Sequence, residues 1–102
     1  MTTFDDRERA FENKFAHDAE LQFKAEARRN KLAALWAAEL LGKADTEAYV
    51  AEVLAADLEE AGSEDVVRKL AADLSDKASA DVIRTKLAEF AMIAKQQVMT
   101  EL

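Results

Sequence analysis

Residues 40–65, LLGKADTEAYVAEVLAADLEEAGSED, divide this chain into its helices. The segment holds both glycines of the chain, Gly42 and Gly62, and each is followed within three residues by a helix-capping side chain, Asp45 or Ser63. Glycine ends helices because it adopts left-handed backbone angles without strain, and Asp or Ser starts them by accepting a hydrogen bond from a free backbone N–H. The segment therefore predicts three successive helices separated by two turns.

The rest of the 102-residue chain extends this pattern into an all-α fold. It contains no proline, and Ala, Leu, Glu and Lys, which favour helices, dominate its composition. The pattern predicts a first helix over residues 4–41, a second capped by Asp45 and running to about residue 60, a third capped by Ser63, and a fourth capped by Ser79 and running to about residue 98. We expect one small domain, a four-helix bundle whose first helix is unusually long.

Each predicted helix has an apolar face that we expect to form the core. On the first helix this face is Leu32, Trp36 and Leu40, with Trp36 as the central anchor. The inward residues of the other three helices are Val50, Val53, Leu54 and Leu58; Val66, Val67, Leu70, Ala71 and Leu74; and Ile83, Leu87, Phe90, Ala94 and Val98.

The first helix is too long for its partners. At ~1.5 Å per residue, residues 4–41 extend roughly 57 Å, whereas helices of 12 to 20 residues extend about 18 to 30 Å. Its first part therefore overhangs the bundle, and there Phe4, Phe11 and Phe15 lie within about 40° of one another around the helix. We expect an N-terminal arm, residues 1–18, that is frayed or disordered when free and folds on binding a partner, attached to a bundle of residues 19–102.

The spacing of these phenylalanines leaves other interpretations open. They are equally compatible with folding back onto the bundle or with pairing to a second copy of the chain. A self-associating helical adaptor and a carrier that binds a small ligand inside the bundle are therefore alternative functions. For the free chain we expect a monomer.

The charge distribution argues against a nucleic-acid partner. The net charge is -7, and because the acidic and basic residues through residue 44 balance, all of the excess acid lies beyond that point. Only Lys24, Arg28 and Lys31 line up as a basic stripe on one helical face, which is a weak footprint for nucleic-acid binding.

Residues for catalysis, metal binding or cofactor binding are scarce. The three serines, Ser63, Ser75 and Ser79, fall at predicted helix ends, where capping accounts for their hydroxyls. His17 is the only histidine, there is no cysteine, and two isolated glycines make no phosphate-binding loop. We expect neither an enzyme nor a metal or cofactor protein.

The sequence also carries no signal for membrane insertion. No apolar run approaches the roughly 20 residues that a spanning helix needs, and the first residues lack the features of a signal peptide. We expect a soluble, cytoplasmic protein.

Three segments resemble a known family: FDDRERAFENKFAHDAEL at residues 4–21, FKAEARRNKLAALWAAELLG at 23–42 and ADLEEAGSEDVVRKLAADL at 56–74. They are similar to the ATPase inhibitor subunit zeta of alpha-proteobacterial F-type ATP synthases. The resemblance covers most of the chain and weakens toward the C-terminus.

The resemblance implies a non-enzymatic helical bundle that associates peripherally with the membrane-bound ATP synthase and inhibits ATP hydrolysis. In this family the N-terminal segment inserts as a helix into a catalytic α/β interface of the F1 sector, near the central stalk, and blocks rotation. Carried onto this chain, the inhibitory segment lies within the first eighteen residues. Its candidate contact residues are Phe4, Asp5, Asp6, Arg7, Arg9, Phe11, Glu12, Lys14 and Phe15.

Overall fold

The computed structural model describes residues 18–56 and 63–101. These residues form four α-helices and one short 3-10 helix. The α-helices are α1 (Ala19–Leu41), α2 (Thr46–Ala56), α3 (Glu64–Leu74) and α4 (Ala80–Thr100), and the 3-10 helix is Ser75–Lys77. The predicted all-α fold with four helices is confirmed.

The start of α1 differs from the prediction of one uninterrupted helix over residues 4–41. Asp18 is extended (φ -107°, ψ 100°), and its carboxylate accepts hydrogen bonds from the backbone N–H groups of Glu20 (3.0 Å) and Leu21 (3.2 Å). The side chain thus satisfies N–H groups that would otherwise lack partners, and this stabilises a helix start at Ala19. The predicted helix before Asp18 lies outside the described residues.

The turn between α1 and α2 forms as the sequence predicts. Gly42 adopts the left-handed conformation (φ 66°), its N–H donates to the carbonyl of Glu39 (3.2 Å), and Lys43 N–H donates to the carbonyl of Ala38 (3.0 Å). This is the Schellman arrangement of hydrogen bonds that ends helices at glycine. Asp45 then caps α2 by accepting from Ala48 N–H (3.0 Å). The predicted stop at Gly62 and the inward residue Leu58 lie outside the described residues.

Of the two later capping predictions, the one for Ser79 is correct and the one for Ser63 is wrong. Ser79 Oγ accepts a hydrogen bond from Val82 N–H (3.2 Å) and caps α4 as predicted. Ser63 precedes α3, but its side chain makes no capping hydrogen bond. Its backbone already has near-helical angles (φ -98°, ψ -8°), and capping by a hydroxyl needs the extended conformation that Ser79 has.

The predicted inward faces of α3 and α4 are largely confirmed. Every predicted residue of these two faces is buried except Ala71 and Phe90, which are half-buried. On α2 the structure buries Tyr49 and Val53, whereas Val50 and Leu54 are half-buried. The core-facing side of α2 is therefore rotated toward Tyr49, which the sequence analysis did not single out.

The predicted core face of α1 is wrong. Leu40 is 42% exposed, Leu32 and Trp36 are half-buried, and the fully buried apolar positions are Ala33, Ala34, Ala37 and Ala38. Small side chains let neighbouring helices approach closely, so the contact line follows the alanines and the large residues flank it. Trp36 packs at the margin of the core, with its ring centroid 6.5 Å from that of Phe90.

The core is divided between the two ends of the bundle. The larger cluster draws on all four helices, whereas a second cluster of Leu21, Ala25 and Val98, with Met99 packed against it, belongs to α1 and α4 alone. Helices α2 and α3 have 11 residues each, about 16 Å, and α1 has 23, about 34 Å, so the short helices cover only part of the long ones. We call residues 19–29 of α1, residues 91–100 of α4 and the C-cap residue Glu101 the two-helix end.

Candidate partner-binding site

The nine predicted contact residues all precede Asp18 and therefore lie outside the described residues. They are Phe4, Asp5, Asp6, Arg7, Arg9, Phe11, Glu12, Lys14 and Phe15. His17 lies outside as well. Their assignment as contacts remains a prediction. The structure describes Asp18, the last residue of the predicted arm, and the surfaces of the bundle near it.

The arm joins the bundle at Asp18. Its backbone is extended, while its carbonyl accepts the first helical hydrogen bond of α1, from Gln22 N–H (3.1 Å). The arm is therefore attached at the two-helix end, the least covered part of the bundle.

A shallow groove of about 340 Å³ runs along one side of the two-helix end. We call it the α1/α4 groove. Helix α1 contributes Gln22, Ala25, Glu26 and Arg29, and α4 contributes Ala91, Met92 and Lys95. The lining of the groove is mainly apolar, although Glu26, Arg29 and Lys95 are among its residues. Met92 is 68% exposed, a large apolar residue without cover from the described part of the chain.

The opposite side of the two-helix end is held by polar contacts. Arg28 forms a bidentate pair with Glu101, with Nη2 to Oε2 at 3.0 Å, and also donates to Gln97 Oε1 (3.4 Å). The hydrogen bond from Arg28 lowers the pKa of Glu101, and the same bond raises the pKa of Arg28. Lys24 lies 3.8 Å from Glu20. Together with the Arg28–Glu101 pair, this gives two of the three cations of the predicted basic stripe an acidic neighbour. This pairing weakens the footprint for nucleic acid further.

A second polar cluster joins α2 and α3 away from the arm. The hydroxyl of Tyr49, a residue only 3% exposed, donates to Asp73 Oδ2 (2.8 Å), and Lys69 Nζ lies 2.9 Å from the same oxygen and 3.4 Å from Glu52. Lys43 and Lys69 also lie 5.6 and 5.7 Å from the centroid of the Tyr49 ring. This cluster was not predicted from the sequence. The spacing gave a signal for it, because Tyr49 lies four residues before the predicted inward residue Val53, and residues four apart are neighbours on one face of a helix.

The electrostatics of this cluster point to a structural role. Burial acts to raise the pKa of Asp73, but hydrogen bonds from Lys69 and Tyr49 outweigh it and lower that pKa overall. Burial, and then the hydrogen bond to Asp73, raise the pKa of Tyr49 well above its usual range. The phenol stays protonated and the carboxylate ionised near neutral pH, so neither is poised for proton transfer.

Two further findings concern the classes of site considered in the sequence analysis. Residues 18–56 and 63–101 contain no group of three or more His, Cys, Asp or Glu side chains arranged to hold a metal ion. Over the same residues, no helix is both long and apolar enough to cross a membrane.

The sequence of the chain matches a known protein family. The family model described as ATPase inhibitor subunit zeta matches residues 1–97, which include the arm, helices α1 to α3 and most of α4. No curated protein sequence matches the chain significantly.

Proposed function

Because the chain belongs to the ATPase inhibitor subunit zeta family, whose members are inhibitor subunits and not catalysts, we propose a specific mode of action for its arm. Residues 1–18 insert as a helix into a catalytic α/β interface of the F1 sector of an F-type ATP synthase, near the central stalk, and block the rotation that ATP hydrolysis drives. The bundle, residues 19–102, remains outside that interface. The chain is a monomer when free, and in the complex it associates peripherally with the membrane-bound enzyme on the cytoplasmic side.

The observation that carries this proposal is the extent of the family match, which includes every residue of the arm. The packing of the bundle supports it as well. The larger core cluster is filled by side chains of the four helices, among them Leu70, Leu74 and Ile83, each fully buried. Within the described residues, the four helices and the residues between them supply the buried side chains of that cluster.

Burial of these rings supplies affinity for the partner. An apolar side chain gains about 1.5 to 3 kcal/mol when a partner buries it fully, which corresponds to roughly a ten- to hundredfold change in binding. Capping and good helix propensity reduce the cost of ordering the arm. In this proposal Phe4, Phe11 and Phe15 are the apolar anchors, flanked by the charged contacts Asp5, Asp6, Arg7, Arg9, Glu12 and Lys14.

The test is a titration of the cognate F1 sector with the intact chain and with single variants while ATP hydrolysis is measured. Phe11→Ala and Phe15→Ala are each expected to raise the concentration for half-inhibition by about tenfold or more, because each removes one buried ring. Phe23→Ala is the matched control, since Phe23 is 69% exposed on the bundle and should leave inhibition unchanged.

Two outcomes would contradict the proposal. If the arm variants inhibit as well as the intact chain, these rings are not the anchors. If the intact chain fails to inhibit while its circular dichroism shows folded helices, the inhibitory function is absent here. Sedimentation at several concentrations would then test the self-associating adaptor.

A further inference from the structure

The α1/α4 groove is an exposed, mainly apolar surface close to the residue where the arm joins the bundle. Its lining on α1 runs from Gln22 to Arg29, which is about 6 to 17 Å from Asp18 along the helix axis. On α4 the groove presents Met92, which is 68% exposed, beside Ala91. Concave sites lined mainly by apolar side chains are where proteins bind other molecules.

The groove is too small to hold a protein partner by itself. Seven residues line it, whereas each side of a stable protein–protein interface contributes roughly 20 to 30. A second copy of the chain would also bring a further net charge of -7, and like charges oppose association. The groove therefore fits a contact that adds to a larger interface nearby.

The proposed insertion of the arm supplies that larger interface. When residues 1–18 are inserted in F1, the first turns of α1 lie at the entrance of the insertion site, because the chain is continuous from Asp18 into α1. A contact that is tethered over so short a distance acts at an effective concentration on the order of millimolar. A small apolar surface beside the entrance then binds F1 although it could not do so alone.

We propose that the α1/α4 groove is a second binding surface for the F1 sector. Its occupant is an apolar side chain of F1 at the entrance of the interface into which the arm inserts, and Met92 packs on that side chain. This inference rests on the proposed function. Together the arm and the groove hold the bundle on F1 in one orientation.

The charges of the groove specify the surroundings of that apolar side chain. Three charged residues line the groove, and two of them, Arg29 and Lys95, are cations although the chain as a whole is acidic. Complementary charges across an interface fix its register and exclude wrong partners. The matching part of F1 is therefore an apolar side chain with a carboxylate beside it.

Site-specific photo-cross-linking of the full-length chain tests the contact directly. The photoreactive residue p-benzoylphenylalanine replaces Met92 or, as the matched control, Ile93, which is 42% exposed and lines a different surface of α4 together with Arg28. With the cognate F1 sector present, irradiation is expected to join position 92 to an α or β subunit and to leave position 93 unlinked. An excess of the parent chain is expected to suppress the product.

Substitutions at the same two positions measure what the contact contributes to inhibition. Met92→Glu places a charge in the groove and is expected to raise the concentration for half-inhibition of F1 by about tenfold, because the apolar contact is lost. Ile93→Glu makes the same change at the next residue and should leave that concentration unchanged. Circular dichroism of both variants checks that the helices remain folded.

Three results would overturn the groove contact: no cross-link from position 92 to F1, equal cross-linking from both positions, or equal inhibition by Met92→Glu and the parent chain. Cross-linking between copies of the chain without F1 would also overturn it and would assign the groove to a second copy. The proposed function fails separately, since it is contradicted when the parent chain does not inhibit ATP hydrolysis.

Discussion

Three residues with polar side-chain groups, Tyr49, Asn30 and Asp65, lie in the interior of the bundle. Tyr49 is buried with its hydroxyl bonded to Asp73, while Asn30 and Asp65 are 0% and 5% exposed. Asn30 Oδ1 accepts from Arg29 Nε (3.0 Å), and Asp65 pairs with Arg68, yet Asn30 Nδ2 and Asp65 Oδ2 have no hydrogen-bond partner in the described part of the chain. Such groups reduce stability, whereas Tyr49 contributes to it, because its hydroxyl is satisfied.

Tyr49→Phe tests the contribution of that hydroxyl. The substitution keeps the ring and removes the hydrogen bond to Asp73, so we expect the free energy of unfolding to fall by about 1 kcal/mol in urea denaturation. In an Asp73→Ala background the same substitution should cost much less, since the acceptor is already gone. An equal cost in both backgrounds would show that the hydroxyl stabilises the fold without Asp73.

The pH dependence of stability tests the Asp73 carboxylate. Its pKa is lowered in the folded chain because the hydrogen bonds from Lys69 and Tyr49 outweigh the opposing effect of burial. A lowered folded-state pKa contributes stability that is complete above the unfolded value of about 3.9 and is lost as the pH falls through the folded value. The difference in unfolding free energy between the parent chain and Asp73→Asn should therefore be constant from pH 7 to 5 and shrink below about pH 4. A difference that grows in acid would contradict the assignment.

Among the helices, similar cap residues act differently. Asp18, Asp45 and Ser79 each accept a backbone hydrogen bond at the start of a helix, whereas Ser63 occupies the same kind of position without one. The residue type is therefore a sound predictor of where a helix begins. Whether the side chain contributes energy depends on the backbone conformation that the preceding segment imposes.

A pair of matched substitutions measures this difference. Ser79→Ala should lower the free energy of unfolding by about 1 kcal/mol, because it removes the acceptor for Val82 N–H. Ser63→Ala, the same chemical change at the start of α3, should cost less than about 0.5 kcal/mol. Thermal or urea unfolding of the two variants makes the comparison, and equal losses would mean that Ser63 also caps its helix in solution.

At the scale of the whole bundle, the helices differ in length, so one end buries more apolar side chains than the other. The end that contains α2 and α3 holds the large core cluster, and the two-helix end holds four buried apolar residues, Leu21, Ala25, Ala94 and Val98. Regions with few buried apolar contacts open at lower free energy than the rest of a domain. The two-helix end is therefore the part of the described bundle that we expect to open most readily.

Native-state hydrogen exchange should resolve the two ends. Backbone amides of residues 23–26 in α1 are expected to exchange about tenfold or more faster than those of residues 35–38 in the same helix, because only the latter face the large cluster. Amides of Leu70 and Leu74 should match the slower group. Uniform protection along α1 would show that the two ends unfold as one cooperative unit.

The helix boundaries and the buried face of α3 follow largely from the local sequence. A helix start or end depends on a few adjacent residues, so Gly42, Asp45 and Ser79 mark their boundaries correctly, and the spacing of Val66, Val67, Leu70 and Leu74 identifies the buried face of α3. The family is likewise recognisable from the sequence, since its model matches residues 1–97, whereas the contact residues proposed before Asp18 remain predictions because they lie outside the described residues.

Which faces of α1 and α2 are buried depends on long-range packing. The alanines of α1 are fully buried whereas Leu40 is exposed and Trp36 is half-buried, and Tyr49 is part of the core. Which face of a helix is buried depends on how closely the other helices approach, and that distance is set by side-chain sizes on several helices at once. The α1/α4 groove arises in the same way, since it exists only because two short helices fail to cover two long ones.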